Sequence, residues 1–331
     1  MKTIIASVLA ATVLALTSSA AFADAHNKEI TVGYFQEWPL PMMAAKAAGT
    51  YEEALGTKIN WRSFETGTAM SAAMASGDVQ ISVSQGLPPF VVATSAGQDL
   101  QLVDVAVSYS ENQNCVVSTA LEVTKDNASE LAGKKVAVPL GTAAHYDFLR
   151  QMEHFEVPLD SLTIVNMAPP EGAAALEQGA VDFACGYGGG FARMKEHGNI
   201  LLTGAEKEEL GILVFDVTSV PAAYAAENGE QLSKFLKVTA EANAKWTETK
   251  DEEMLKAIAT ESGMDLEAAR SSIGTMDFPS IEDQLSAKWL GGGAQEFMKG
   301  VANVFVESKS IDKALDDYSA NVNDAPLKGA M

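Results

Sequence analysis

The stretch GKKVAVPLGTAAHYDFLRQ, residues 133–151, decides how the chain is read. An apolar strand at 135–138 ends at Pro139, and the turn Gly141-Thr142 opens a helix from about Ala143. Thr142 stands at the N-cap, where its hydroxyl can accept a bond from an N–H of the first turn. The other first-turn amides have no acceptor inside the helix and carry the positive end of its dipole. Such a turn at the carboxyl end of a strand suits a small anion without any basic side chain. Many βα loops share this shape, so the rest of the chain must supply something for it to face.

Elsewhere strands and helices alternate, which argues for βαβ units and a largely parallel sheet. ITVGYF is a strand followed by the loop Gln36-Glu37-Trp38-Pro39-Leu40-Pro41 and a helix at 42–49. Further strands are expected at 58–64 and 79–84, and the turn Gln85-Gly86-Leu87-Pro88 starts a helix with proline in its first turn. AAMASGDVQISVSQG and AALEQGAVDFACGYG share one plan at a constant offset of 102 residues, and ITVGYFQEWP with KVAVPLGTAAHY forms a looser second pair. Two echoes in register imply two α/β lobes built alike. The expected organisation is a first lobe of 24–108 and 218–331 and a second lobe of 109–217. Two crossings, near 106–114 and 212–220, form the hinge, and an unbroken helical tail packs back onto the first lobe.

Residues 1–23 read as an export leader. Lys2 is basic, 4–16 are apolar, and Ala21-Phe22-Ala23 forms a cleavage site. The apolar run is too short to span a bilayer, and no cysteine near the cleavage site offers a lipid anchor. The expectation is a soluble periplasmic protein acting as a monomer. The formal net charge of −21 repels nucleic acid and anionic membrane. An anionic ligand would have to be held by local dipoles against that field. Cys115 and Cys185 lie in apolar, strand-like surroundings and read as two buried free thiols, with a disulfide as the alternative.

Catalysis is poorly served. The four histidines are scattered, and neither a G-x-S-x-G elbow nor an H-E-x-x-H or C-x-x-C spacing occurs. Tyr187-Gly188-Gly189-Gly190 lacks both the G-x-G-x-x-G and the P-loop spacing. No catalytic residue, metal or cofactor is expected. What remains is a set of strand ends facing one another across a cleft, a favoured place for ligands. The candidates are Gln36, Glu37 and Trp38; Thr66 and Thr68; Gln85, Gly86 and Leu87; Thr142, Ala143 and His145; and Tyr187. Asp216, an acid inside the apolar strand VFDVTS, could meet a ligand cation at the hinge.

At these residues the chain resembles the periplasmic taurine-binding proteins of ABC importers, within a wider group that binds alkanesulfonates, nitrate and thiamine-precursor pyrimidines. WRSFETGTAM, MASGDVQIS, GKKVAVPLGTAAHY, IVNMAPPEGAAAL, LVFDVTS and DDYSANV carry the likeness across nearly the whole mature chain. The resemblance implies a type II periplasmic binding-protein fold: two α/β lobes, two crossings and a central ligand cleft, with membrane permease subunits as partners. It further implies a sulfonate on helix N-termini, at Thr142 to Ala144 with 66–68 and 85–87 opposite. The amine end would face Asp216 and Glu37, Glu111 or Tyr187. Three departures bear on the ligand: Gly86-Leu87 replace serines, Asn114 replaces an acid after the first crossing, and Tyr187-Gly188-Gly189 replace Trp-Ala-Pro. The alternatives are another small sulfonate, a nitrate-like anion or a pyrimidine, and a pyrimidine-synthase-like enzyme, whose Cys-rich run is absent here.

Overall fold

A computed structural model describes residues 29–331; the leader expected at 1–23 lies outside the described residues. Two sheets organise the chain. The first contains β1 (Ile30–Phe35), β2 (Ile59–Phe64), β3 (Ile81–Gly86), β4 (Leu100–Tyr109), β10 (Val214–Pro221) and the two-residue β11 (Met276–Asp277), in the order β11-β4-β10-β3-β1-β2. The second contains β5 (Gln113–Ser118), β6 (Lys135–Val138), β7 (Thr163–Asn166), β8 (Phe183–Tyr187) and β9 (Gly198–Ile200), in the order β7-β6-β8-β5-β9.

The sequence echo has a structural counterpart. In each sheet three parallel strands run in the order second-first-third, with an antiparallel strand beside the third: β2-β1-β3-β10 and β7-β6-β8-β5. The antiparallel strand is the returning crossing in one sheet and the outgoing crossing in the other. β10 pairs with β4 along its whole length from Val214, so the chain re-enters the first sheet a few residues before the expected boundary. The helical tail is interrupted by β11, which pairs with the end of β4. Nor does it rest on one lobe only. The Gly293–Glu307 helix touches both the Leu87–Ser95 and the Ala143–His154 helices, and Phe305 stacks on His145 with ring centroids 5.4 Å apart.

The cysteines correct the free-thiol expectation: Cys115 and Cys185 form a disulfide. Strand register places them directly opposite on β5 and β8, and both are buried. Nothing in the local sequence could reveal that pairing, because it is set by the register of two strands 70 residues apart. Beside it lies a buried ion pair, Lys207 Nζ to Asp147 Oδ2 at 2.8 Å. The ammonium also donates to the Gln113 carbonyl, and Gln151 links Asp147 to Asn114. Such a network stands only when its charged members are satisfied, and Lys207 and Asp147 both are, although the Gln113 side-chain amide beside them is buried without a partner. Among the described residues no helix is long and apolar enough to cross a membrane.

Candidate functional site

A narrow cavity of about 10 Å³ lies between the sheets, at the carboxyl ends of β1, β3 and β8 and beside β10. From the first lobe it is lined by Phe35, Trp38, Gly67, Gly86, Pro89, Tyr109 and Asp216, and from the second by Thr142, Ala143 and Tyr187.

One end is built from backbone. Thr142 is extended and caps the Ala143–His154 helix, its hydroxyl accepting from the His145 N–H at 3.4 Å and donating to the Pro139 carbonyl at 2.6 Å. Tyr146 N–H bonds the Thr142 carbonyl and begins the helical ladder. The Ala143 and Ala144 amides precede it, so the helix itself offers them no acceptor. His145 does not reach the cavity. Its Nδ1 accepts the Gly141 N–H at 3.0 Å, which requires that nitrogen to be unprotonated. Burial without a charged partner lowers its pKa to about 4, so the ring is a neutral strut under the turn.

Across from this turn, donors are fewer than the resemblance implies. Pro88 and Pro89 occupy the first turn of the Leu87–Ser95 helix and remove two N–H groups. Gly86 lies in β3 rather than in a loop, paired with Asp216, and Leu87 is core. Thr66 caps the Gly67–Ala75 helix by accepting from Ala69 N–H, and Thr68 donates to the Thr66 hydroxyl. Gly67 reaches the cavity because it has no side chain: a Cβ there would stand 2.5 Å from Pro89 Cγ. Gln85 turns inward, donating to the Gly67 carbonyl at 2.9 Å and to Ser71, and accepting from Ser219 Oγ at 2.7 Å.

The other end is polar at one point and aromatic around it. Asp216 is 2 % exposed. Its Oδ2 accepts from Ser84 Oγ at 2.6 Å and its Oδ1 from Tyr109 OH at 2.8 Å. Ser84 in turn accepts from Trp38 Nε1 at 2.9 Å. Two donors leave lone pairs on the carboxylate unused. Burial raises its pKa to about 7, the hydroxyls only partly opposing it, and no cationic side chain offsets the burial. Trp38 meets Tyr109 edge-on at 4.9 Å and Tyr187 at 6.5 Å, and Phe35 lies 5.8 Å from Tyr187. Aromatic faces around a buried acid form a place for a small cation.

The expected residues thus divide. Trp38, Gly86, Thr142, Ala143, Tyr187 and Asp216 come together. Gln36 is held outside by the Glu261 carbonyl. Glu37 is engaged by Arg193, Nη1 to Oε1 at 2.8 Å and Nη2 to Oε2 at 3.0 Å, and cannot serve an amine while it is. Asn114 donates to the Leu202 carbonyl and accepts from Gln151, inside the second lobe. Glu111 accepts from the Gly204 N–H. Phe35, Tyr109 and Ser84 were not anticipated. Phe35 and Tyr109 are the last residues of β1 and β4, a position that could have flagged them.

Residues 39–253 match the family described as NMT1/THI5 like. A taurine-binding periplasmic protein of Escherichia coli K12 is 29 % identical over 226 residues, 68 % of each chain. Among solved structures, the alkanesulfonate-binding protein SsuA of Xanthomonas axonopodis pv. citri bound to MOPS superposes with a TM-score of 0.73 at 20 % identity, covering 89 % of this chain and 98 % of that one. The aliphatic sulphonate binding protein SsuA of E. coli gives 0.68 at 22 %, covering 87 % and 95 %. These likenesses establish the type II periplasmic binding-protein fold. With the family match spanning most of the described residues, the chain belongs to the NMT1/THI5-like family.

Proposed function

We propose that this protein is the substrate-binding component of an ABC importer. In this reading it captures taurine, or a close small sulfonate, in the periplasm and delivers it to a permease. One observation carries it: the first-turn residue Ala143, whose amide has no acceptor in the helix, with its N-cap Thr142, and the buried carboxylate of Asp216 line one small cavity. The first suits a sulfonate and the second an ammonium, and the kinship with a taurine-binding periplasmic protein agrees with both. The aromatic wall supplies apolar contact for a short carbon linker.

Magnitudes show what must act together. Micromolar capture requires about −8 kcal/mol. A helix terminus contributes about 0.3–1 kcal/mol, rising to ~2 when partly buried. Hydrogen bonds to charged groups add about 1.5–3 kcal/mol each. Dipole alone is too weak, so both charged ends of a zwitterion must be bonded and dry. Calorimetry with taurine and isethionate, which differ only in amine against hydroxyl, tests the reading. Taurine binds and isethionate binds at least ~100-fold more weakly, as expected when a buried charged group is left without its partner. Equal affinities would remove the ammonium role of Asp216; no heat with any small sulfonate would remove the function.

A further inference from the structure

Outside the cavity lies a second chamber of about 170 Å³, and the two share Phe35, Trp38 and Tyr187 as walls. Tyr187 is the partition. It ends β8, and its hydroxyl crosses the cleft to donate to the Glu65 carbonyl at 2.8 Å. Its ring is steadied by Phe35 and Trp38. The neighbours on its own strand and turn, Gly186 and Gly188 to Gly190, carry no side chain. They are not free to acquire one: a Cβ on Gly188 would meet the Glu37 carbonyl oxygen at 2.8 Å, and one on Gly190 would meet Pro169 at 2.6 Å. If the tyrosine ring were removed, no neighbour on that turn could fill the gap. The space beyond is walled on one side by Phe64, Pro169 and Pro170 and elsewhere by Gln36, Glu37 and Glu65, and its apolar side has no evident use for a ligand as small as taurine.

Resting on the function proposed above, we propose that Tyr187 is the residue that limits ligand length. It stops the ligand just beyond the amine that meets Asp216, and excludes sulfonates carrying an apolar group past that point. Without the ring, the outer chamber becomes a tail subsite. N-cyclohexyltaurine is a suitable probe, because it keeps the sulfonate and the ammonium and adds only an apolar ring on the nitrogen.

Calorimetry with taurine and N-cyclohexyltaurine is run on the wild-type protein, Tyr187→Ala and Tyr187→Phe, with a thermal melt to confirm folding and Tyr187→Leu held as the milder opening. The wild type is expected to prefer taurine by roughly 10- to 200-fold or more, the scale of a steric misfit in an apolar pocket. Tyr187→Ala narrows that preference at least about tenfold, while Tyr187→Phe, which keeps the ring and loses the Glu65 bond, preserves it. The inference is overturned by a wild type that binds both ligands alike, by a folded Ala or Leu variant with the preference intact, or by a Phe variant as permissive as Ala. Wild-type protein that ignores taurine overturns the function itself, and the length limit with it.

Discussion

The two ends of the cavity offer polar groups in opposite ways, and the proposed function assigns each a different charge. Behind the N-cap Thr142 the protein offers no charged side chain; the donors are the Ala143 and Ala144 amides that helix geometry leaves over, braced by a neutral histidine. At Asp216 it buries a full carboxylate and surrounds it with hydroxyls and rings from four separate segments. The amide end is cheap in stability, since first-turn N–H groups exist in any helix. The carboxylate end is not, because burial raises its pKa to about 7. A backbone site reads charge and shape with little selectivity. In the proposed reading the carboxylate site selects more strictly, and its burial weakens the fold above neutral pH.

Substitution at the carboxylate end should give the largest effect. Asp216→Asn should weaken taurine by ~100-fold or more, in line with about 3–5 kcal/mol for leaving a buried charge without its partner. Isethionate affinity should change little. The same substitution should stabilise the unliganded protein above neutral pH. The folded carboxyl holds its proton to about pH 7, whereas the unfolded chain releases it near the ordinary carboxylate value. The contribution of Asp216 is therefore fully present below pH 4 and lost as pH rises through 7, by up to about 4 kcal/mol for a three-unit shift. Melts of both proteins should converge at pH 4 and separate at pH 8; parallel curves would mean that the carboxylate is not the strained group.

A lesion that touches neither end comes next. Replacing Cys115 and Cys185 by serine should cost about 2–4 kcal/mol of stability, typical of a bridge closing a long loop. Taurine affinity of the folded fraction should stay within threefold, and a larger loss would tie the disulfide to the site. At the amide end, Ala143→Pro deletes one proposed donor at the helical position where proline is tolerated. Taurine and isethionate should both weaken by about 1.5–3 kcal/mol. Loss of taurine alone would contradict the assignment of the sulfonate to this end. Smallest of all, Glu37→Gln breaks a half-exposed ion pair across the cleft and should change affinity by no more than about 1 kcal/mol. Its signature should be weaker salt dependence of ligand release, measured by stopped flow.

The contrast also explains what could be read from the chain. The amide end is local: Gly141, Thr142 and the helix are contiguous, so propensity and capping rules locate it. Asp216 was visible as an acid in an apolar strand, but its partners were not. The hydrogen bonds that join Trp38 to Ser84, and Ser84 and Tyr109 to Asp216, span 46 to 132 residues and are set by the fold rather than by sequence. Asn114 and Glu37 misled for a related reason. Each has the chemistry of a ligand group, and each is satisfied within the protein, by Gln151 and the Leu202 carbonyl in one case and by Arg193 in the other. Gln85 and Gly86 were expected in a loop because prolines follow them. Pairing with β10 instead extends β3 through both.

Ser84, the hinge of the Asp216 network, is a buried non-glycine residue with φ +58° in the middle of a strand. That conformation costs of order 1–3 kcal/mol and is held by its surroundings. Together with the raised pKa of its partner, it marks where stability and recognition oppose each other. A laboratory selection that rewarded only heat resistance should therefore enrich Ser84→Gly and Asp216→Asn early. The survivors would be sturdier proteins, with the carboxylate-and-hydroxyl end of the cavity gone.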